Sequence, residues 1–363
     1  MNETAPAISA RIWSAYKRKG IFHLLKRIVG ALYPVIIEKP LLLPLLLVLF
    51  WLSGKKIGRY TLHKRLTSDG YLAGLLGMTT VSERAFLQWY CQELYRGKGL
   101  IVELGPFLGA TTCPLCRGLA KNNAIQDKNR KIWVYDKFQC DEFMANVLGS
   151  LYQQGKIKNQ YHPGDSFKPE FDRQTESYSS LIVLTDGDLS TVKYSEGPIE
   201  LLFVDAMKDL PTANRIVNQF YPSLIPGVSL VIHQDFIHYW TSWIHLIQYD
   251  LRDVFEFVYF IPRSTSVIFR YIGGQDGIKN YQVDLDSFDD QKIEAAFAYS
   301  CSLVPPMEHP NILASKIMLY IQKGDLRSAR LQHDRLGVDR FEFPGELKVV
   351  GDMLLERERQ QRT

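Results

Sequence analysis

The sequence predicts an α/β protein built on a mostly parallel β-sheet. Five short apolar runs alternate with helical patterns, and each run is rich in β-branched residues and closed by a polar one. They read "GLIVELG", "KIWVYD", "SLIVLTDGD", "IELLFVDA" and "VSLVIHQD". Continuous apolar runs separated by helices indicate parallel strands covered on both faces. Two later runs, "FEFVYFIP" and "TSVIFRYIG", are separated by only a few residues and predict a hairpin.

The composition is that of a globular protein in a reducing compartment. The chain has 363 residues, of which 46% are hydrophobic and 23% charged, so it can form one large domain with extensions or two domains. Its net charge is +4, without a long basic tract with interleaved aromatics, and this does not favour nucleic-acid binding. Five cysteines without framework spacing predict a cytoplasmic location, and the polar residues 1–10 do not fit a signal peptide.

Four zones follow each other along the chain. Residues 1–56 alternate basic and apolar stretches, residues 57–98 form a helical lead-in, residues 99–284 carry the strand pattern, and residues 285–363 are mostly helical. In the last zone, "ILASKIMLYIQKGDLRSARLQHDRL" predicts two helices around a Gly324–Asp325 turn. This zone is predicted to be a C-terminal helical appendage.

The first zone predicts peripheral membrane contact through residues 12–54. Its longest apolar stretch, Pro40–Gly54, has 15 residues. As a helix it would extend about 22 Å, short of the ~30 Å hydrocarbon core. Three interpretations stay open: the segment lies on a membrane, packs on the protein's own body, or spans the bilayer. Basic residues such as Lys17 and Lys26 suit anionic headgroups.

Acidic side chains close the apolar runs. Ligands of open parallel sheets bind beyond the carboxyl ends of the strands, and a buried acid there is costly unless a partner satisfies it. The pattern therefore predicts a ligand groove at this edge. The residues that end the five runs are Glu103, Asp136, Asp186 with Asp188, Asp205, and the trio His233, Gln234 and Asp235.

The turn after the first run, "VELGPFLGATT", contains Gly105 and Gly109 four residues apart. Glycine lets the backbone bend sharply and approach a ligand. A dinucleotide fingerprint would read G-x-G-x-x-G, whereas here Glu103 precedes the first glycine. An acid at this position repels a pyrophosphate but suits a positively charged ligand. The alternative is a strand–helix turn with no ligand.

In order along the chain, "VELGPFLGATT", "VYD", "TDGDLS" and "PIELLFVDAMKD" resemble the motifs of class I S-adenosylmethionine-dependent methyltransferases, over roughly residues 99–274. The resemblance implies a Rossmann-like fold: a seven-stranded, mostly parallel sheet with a reversed last strand, flanked by helices. It also implies that the glycine turn lies under the methionine part of S-adenosylmethionine, that Asp136 accepts hydrogen bonds from the ribose, and that Asp188 contacts the adenine amine. The implied cofactor-binding residues are Glu103, Gly105, Phe107, Gly109, Thr111, Asp136, Asp188 and Asp205.

A narrower resemblance lies in "VDAMKD" and "IHQDF". They resemble segments of catechol- and caffeoyl-type O-methyltransferases, in which acids hold a divalent metal and a lysine is the general base. The resemblance implies Lys208 as base and Asp205 and Asp235 as ligands of Mg²⁺. The sequence departs from the pattern at Gln234, where a charged ligand is expected.

The macrocin-type sugar methyltransferases offer a second alignment, in which Met207 and Gln234 replace metal-binding acids. Metal use therefore stays open. Without a metal, Lys208 or His233 would be the base, and Lys208 would then need a lowered pKa.

The sequence thus predicts a methyltransferase that uses S-adenosylmethionine and methylates a hydroxyl of a small molecule or sugar. The alternative is a catalytically weakened or non-catalytic protein of this fold that acts as a binding or scaffold partner. A nicotinamide oxidoreductase is disfavoured by the glycine spacing. The oligomeric state stays open, with a homo-oligomer among the alternatives.

Overall fold

The computed structural model describes residues 69–273, 278, 280–336 and 345–362. The first zone, residues 1–56, and the membrane contact predicted for residues 12–54 lie outside the described residues and stay predictions. Among the helices that the structure describes, none is long and apolar enough to cross a bilayer.

In the described stretch that begins at residue 69, two helices precede the sheet, α1 (Gly70–Gly74) and α2 (Val81–Glu93). α2 begins with a capping box, because Glu83 N donates to Thr80 Oγ1 and Thr80 N donates to Glu83 Oε2. The two side chains satisfy backbone donors that the first helical turn leaves free. Thr80 is therefore the N-cap residue, and the helix begins at Val81.

The core is one seven-stranded sheet. Its strands are β1 (Leu100–Leu104), β2 (Ile132–Asp136), β3 (Ile182–Asp186), β4 (Ile199–Val204), β5 (Leu230–His233), β6 (Phe255–Phe260) and β7 (Val267–Tyr271). Their order is β3-β2-β1-β4-β5-β7-β6. The first five pair in parallel, while β7 runs antiparallel to both β5 and β6. The predicted seven-stranded sheet with a reversed last strand is therefore confirmed.

Helices cover both faces of the sheet, as the continuous apolar strands predict. All six residues of β4 are buried. The helices between the strands are α3 (Thr112–Ala120), α4 (Glu142–Gln153), α5 (Lys168–Thr175), α6 (Leu210–Phe220) and α7 (Trp243–Asp250). Because the strands from β3 to β5 run parallel, their polar carboxyl ends meet at one edge of the sheet.

The C-terminal zone forms α8 (Asp290–Leu303), α9 (His309–Gln322), α10 (Leu326–Arg335) and α11 (Glu346–Arg362). The predicted turn between two helices is present, and Asp325 caps α10 by accepting from Ser328 N. These helices are more than an appendage, because they belong to the compact unit Thr67–Thr363. Phe297, Ile317 and Val350 lie in the same hydrophobic cluster as the strands.

We expect Gly118→Ala to destabilise the protein. A Cβ at Gly118 would lie 2.2 Å from the carbonyl oxygen of Gln88, where α3 packs on α2. A backbone atom cannot move away without distorting α2. The substitution should therefore lower the free energy of unfolding by about 1–3 kcal/mol, measured by urea denaturation.

The matched control is Gly149→Ala within α4, where a Cβ meets nothing within 4 Å. It should raise the free energy of unfolding by roughly 0.5–1 kcal/mol, because alanine favours the helix. Equal effects of the two substitutions would contradict the described packing of α3 on α2.

Candidate active site

A cleft of about 460 Å³ lies at the carboxyl edge of the sheet. Its wall combines apolar side chains, including Met78 and Leu189, with acids and two lysines. Six of the predicted site residues line it: Gly105, Phe107, Asp136, Asp188, Asp205 and Lys208. The topology thus brings the ends of four strands, β1 to β4, to one concave surface.

The turn after β1 forms part of the cleft floor. Gly105 has a φ of 81°, and a Cβ there would lie 2.5 Å from the carbonyl oxygen of Asp205. Only glycine fits this close approach of two chain segments. Gly109 also has a positive φ, but a Cβ there would meet Thr175 and Phe171 of α5. Gly109 is therefore a packing glycine outside the cleft wall.

The Asp136 carboxylate links two strained turns. Its Oδ1 accepts from Phe138 N at 2.8 Å, and its Oδ2 accepts from Phe107 N at 3.4 Å. Both phenylalanines have positive φ, 48° and 50° respectively, which is costly for a residue with a side chain. Their rings pack against Phe167, with centroids 5.7 and 5.3 Å away.

Asp136 keeps capacity for a ligand, because a carboxylate offers about four acceptor positions and two are used. Burial raises its pKa, while the amide donors of Phe138 and Phe107 oppose the rise. Sequence patterns identified neither Phe167, which lines the cleft, nor the fully buried Phe138 behind it.

Asp188 stands in the turn after β3 at the exposed end of the cleft. Its Oδ1 accepts from Ser190 N at 2.8 Å, and this bond lowers the pKa of Asp188. It is therefore ionised at neutral pH and held in place. Asp186, the last residue of β3, is exposed and lies outside the cleft wall.

The Lys208 ammonium lies between two carboxylates. Its Nζ donates to Asp205 Oδ1 at 2.7 Å and to Asp235 Oδ2. Loss of hydration would lower the pKa of Lys208, but the two carboxylates raise it above its usual value, and the side chain itself stays half-exposed. The role of general base predicted for Lys208 requires a lowered pKa, so it does not fit this environment.

Asp205 and Asp235 come together because β4 and β5 are neighbours, with Val204 opposite His233. Burial raises the pKa of Asp205, the nearby Lys208 opposes the rise, and the charge of Asp235 adds to it. Asp235 is itself buried and does not line the cleft.

Glu103 and Thr111 lie beneath the cleft, fully or almost fully buried. Thr112 Oγ1 donates to Glu103 Oε2 at 2.6 Å. Burial raises the pKa of Glu103 to about 7, against the lowering effect of hydrogen bonds from Thr111 and Thr112. The structure therefore places these two predicted cofactor contacts behind the turn, where they support it.

His233 is fully buried, and the prediction that it is a base does not fit its position. Its Nε2 lies 3.0 Å from Tyr221 Oη and 2.7 Å from Gln248 Nε2. Burial lowers the pKa of His233 to about 3. The ring is a hydrogen-bonded part of the core and has no access to a substrate.

The donor set for the predicted metal is incomplete. Among the described residues, no group of three or more His, Cys, Asp or Glu side chains is arranged to hold a metal ion. Lys208 occupies the space between Asp205 and Asp235, and Gln234 Nε2 donates to Thr265 Oγ1 at 3.1 Å. A Mg²⁺ ion requires near-octahedral oxygen coordination, which this set does not fit.

The C-terminal zone contributes an acid within electrostatic reach of Asp235 that no sequence pattern indicated. Tyr239 N donates to Glu346 Oε2 at 2.7 Å at the start of α11. Burial raises the pKa of Glu346 to about 7, the Tyr239 amide opposes the rise, and the charges of Asp235 and Glu308 add to it. Only the folded chain brings a residue so distant in sequence to this place.

Comparison with solved structures finds methyltransferases. The O-methyltransferase NovP is 16% identical, with 53% of this chain and 81% of that chain covered and a TM-score of 0.40. The calicheamicin methyltransferase CalS11 is 15% identical, with 58% and 90% covered and a TM-score of 0.41. PaMTH1 of Podospora anserina, solved with S-adenosylhomocysteine, is 13% identical, with 60% and 89% covered and a TM-score of 0.34.

The three structures are methyltransferases by name. With TM-scores of 0.41 or less they carry no weight for the activity, which is inferred below from the site itself. No protein-family model matches the chain, and no curated protein matches it.

We expect Glu103 to make stability fall as the pH rises. Its pKa is raised from 4.5 to about 7, so between these values the folded state binds more protons than the unfolded state. This group alone should lower the free energy of unfolding by about 3 kcal/mol from pH 4.5 to 7. Urea denaturation at several pH values, compared with Glu103→Gln, measures the contribution.

The free energy of unfolding of the wild type, relative to that of Glu103→Gln, should fall by this amount between pH 4.5 and 7. Glu142→Gln, at an exposed position of α4, is the control and should leave the pH profile unchanged. Parallel profiles of wild type and Glu103→Gln would show that Glu103 titrates normally.

Proposed function

We propose that the protein is an S-adenosylmethionine-dependent methyltransferase that methylates a hydroxyl of a small molecule or sugar. One observation carries the proposal. Four residues that end or follow four different strands line a single cleft. They are Gly105, Asp136, Asp188 and Asp205. Their order along the chain is the order in which the sequence motifs occur.

The residues fit the cofactor in size, shape and charge. A cleft of about 460 Å³ falls within the 300–1,000 Å³ that is usual for small-molecule sites. The tight turn at Gly105 keeps the floor free of a side chain, and Asp136 has acceptor positions left for hydroxyl groups. When bound, the cofactor would supply a methyl group from a positively charged sulfur.

The charges of the chain suit such a ligand. When both are ionised, Asp205 and Asp235 together carry two negative charges against the one positive charge of Lys208. This excess of negative charge attracts a sulfonium and disfavours an anionic acceptor. A neutral hydroxyl is therefore the acceptor that we infer.

The chain's own residues then orient the acceptor and take its proton. The Lys208 ammonium has three donors, of which two bind carboxylates, so the third can bind the acceptor oxygen. The Asp205 carboxylate lines the same cleft and would take the proton of the acceptor hydroxyl as the methyl group passes from the departing sulfur to the oxygen. Holding the two reactants in line is the larger contribution.

A second candidate function is a binding or scaffold protein of this fold. It is favoured by the environment of Lys208, which leaves this residue unable to act as the base that the sequence pattern predicts. Such a protein would bind the cofactor without transferring its methyl group, so binding and transfer must be measured separately.

We expect Asp136→Asn to weaken S-adenosylmethionine binding about tenfold or more, measured by calorimetry, because a charged acceptor is lost while the side chain keeps its size. Asp186→Asn is the control, since Asp186 ends the neighbouring strand outside the cleft wall. No binding by the wild type, or equal binding by both variants, would refute the proposed cofactor site.

We expect Asp205→Asn to lower methyl transfer about 100-fold or more, because the proton acceptor is removed. Labelled S-adenosylmethionine with phenols, sugars and cell extract as acceptors provides the assay. Cofactor affinity should change much less than the rate. Wild-type protein that binds the cofactor but labels nothing would support the binding-protein alternative, and an unaltered rate in the variant would remove Asp205 from the mechanism.

A further inference from the structure

We propose that Lys208 is a built-in cation that takes the place of a divalent metal between Asp205 and Asp235, and that the site becomes a metal site when this lysine is neutralised. The proposal concerns the charge balance of the acidic pair, Asp205 and Asp235. It does not depend on the proposed methyl transfer, because ion binding can be measured without cofactor or acceptor.

The geometry of the pair is that of a cation site. The two carboxylates come from different loops, after β4 and after β5, and they converge on one atom, Lys208 Nζ. Two buried or half-buried acids facing each other would repel strongly without a positive charge between them. Lys208 supplies that charge from the same loop as Asp205.

The side chains next to the acidic pair, those of Met207 and Gln234, make other contacts. Met207 is 2% exposed, and its side chain belongs to the hydrophobic core. Gln234 is held by Thr265. The acidic pair is therefore occupied by the ammonium, and neither neighbouring position adds a carboxylate, so a Mg²⁺ ion with its waters would find room only if Lys208 left the pair.

The loop that carries Lys208 is anchored from behind. Trp240 Nε1 donates to the carbonyl oxygen of Lys208 at 3.1 Å, and Trp243 Nε1 donates to that of Met207 at 2.9 Å. Two indole donors thus fix the backbone from which the lysine extends. A cation held in this way needs no loading from solution, and its position is set by the fold.

The test is to titrate the full-length protein with Mg²⁺ and, in a separate experiment, with Tb³⁺, whose emission is sensitised by nearby tryptophans such as Trp240 and Trp243. The wild type should show neither a shift in melting temperature with Mg²⁺ nor sensitised Tb³⁺ emission. Lys208→Met removes the charge and keeps the length of the side chain. It should bind Tb³⁺ about 100-fold more tightly than the wild type or better, because two uncompensated carboxylates then face each other.

Two controls locate the effect. Lys137→Met removes the other lysine that lines the cleft, which does not bridge the acidic pair, and it should gain no ion binding. Lys208→Met combined with Asp235→Asn should lose the gained binding, because one carboxylate of the pair is neutral. Circular dichroism of each variant verifies folding, and Lys208→Gln replaces Lys208→Met if the latter does not fold.

Two results would overturn the proposal. The first is Mg²⁺ or Tb³⁺ binding by the wild type that Asp235→Asn abolishes, which would mean that a metal displaces the lysine. The second is a folded Lys208 variant that binds no more Tb³⁺ than the wild type. Both are independent of S-adenosylmethionine binding, so failure here and failure of the proposed function are distinguishable.

Discussion

Parallel pairing of the five strands from β3 to β5 is the constraint on which the site depends. Strands that run in one direction bring their carboxyl ends to one edge, and the register of β1 with β4 sets Leu104 opposite Val204. The residues that follow these two strands therefore start side by side. The close approach of the Gly105 turn to the Asp205 carbonyl is the direct result, and the cleft opens above it.

Much of this could be predicted from the sequence, because the signals are local. A strand buried on both faces is a short continuous apolar run, and the polar residue that ends it marks the edge at which ligands bind. Asp136, Asp188 and Asp205 were identified in this way, and all three line the cleft. The reversed last strand followed from the family resemblance and from the short connection between β6 and β7.

The roles of individual side chains were harder to predict, because they depend on partners distant in sequence. The pKa of Lys208 is raised by Asp205 in its own loop and also by Asp235, which follows a different strand. The ring of His233 is held by Tyr221 and Gln248, which come from two other elements. Glu346 enters through a helix more than a hundred residues after the Tyr239 amide that it binds. A strand-end pattern shows that a side chain starts at the edge, but not whether it points into the cleft or the core.

The contact between Gly105 and the Asp205 carbonyl also bears on how the cleft can move. The space between these two backbone segments cannot hold even a Cβ atom, and both segments continue strands from the centre of the sheet, so we expect the floor to move as one piece. The hydrogen bonds that Asp136 accepts from Phe107 N and Phe138 N also restrain the adjoining turns. Adjustment to ligands of different shape is therefore expected at the rim of the cleft. Gln139 and Asp141, just before α4, are exposed there. Local opening of exposed segments needs the least free energy. The rigid floor would keep the reacting groups aligned while the rim sets which molecules enter.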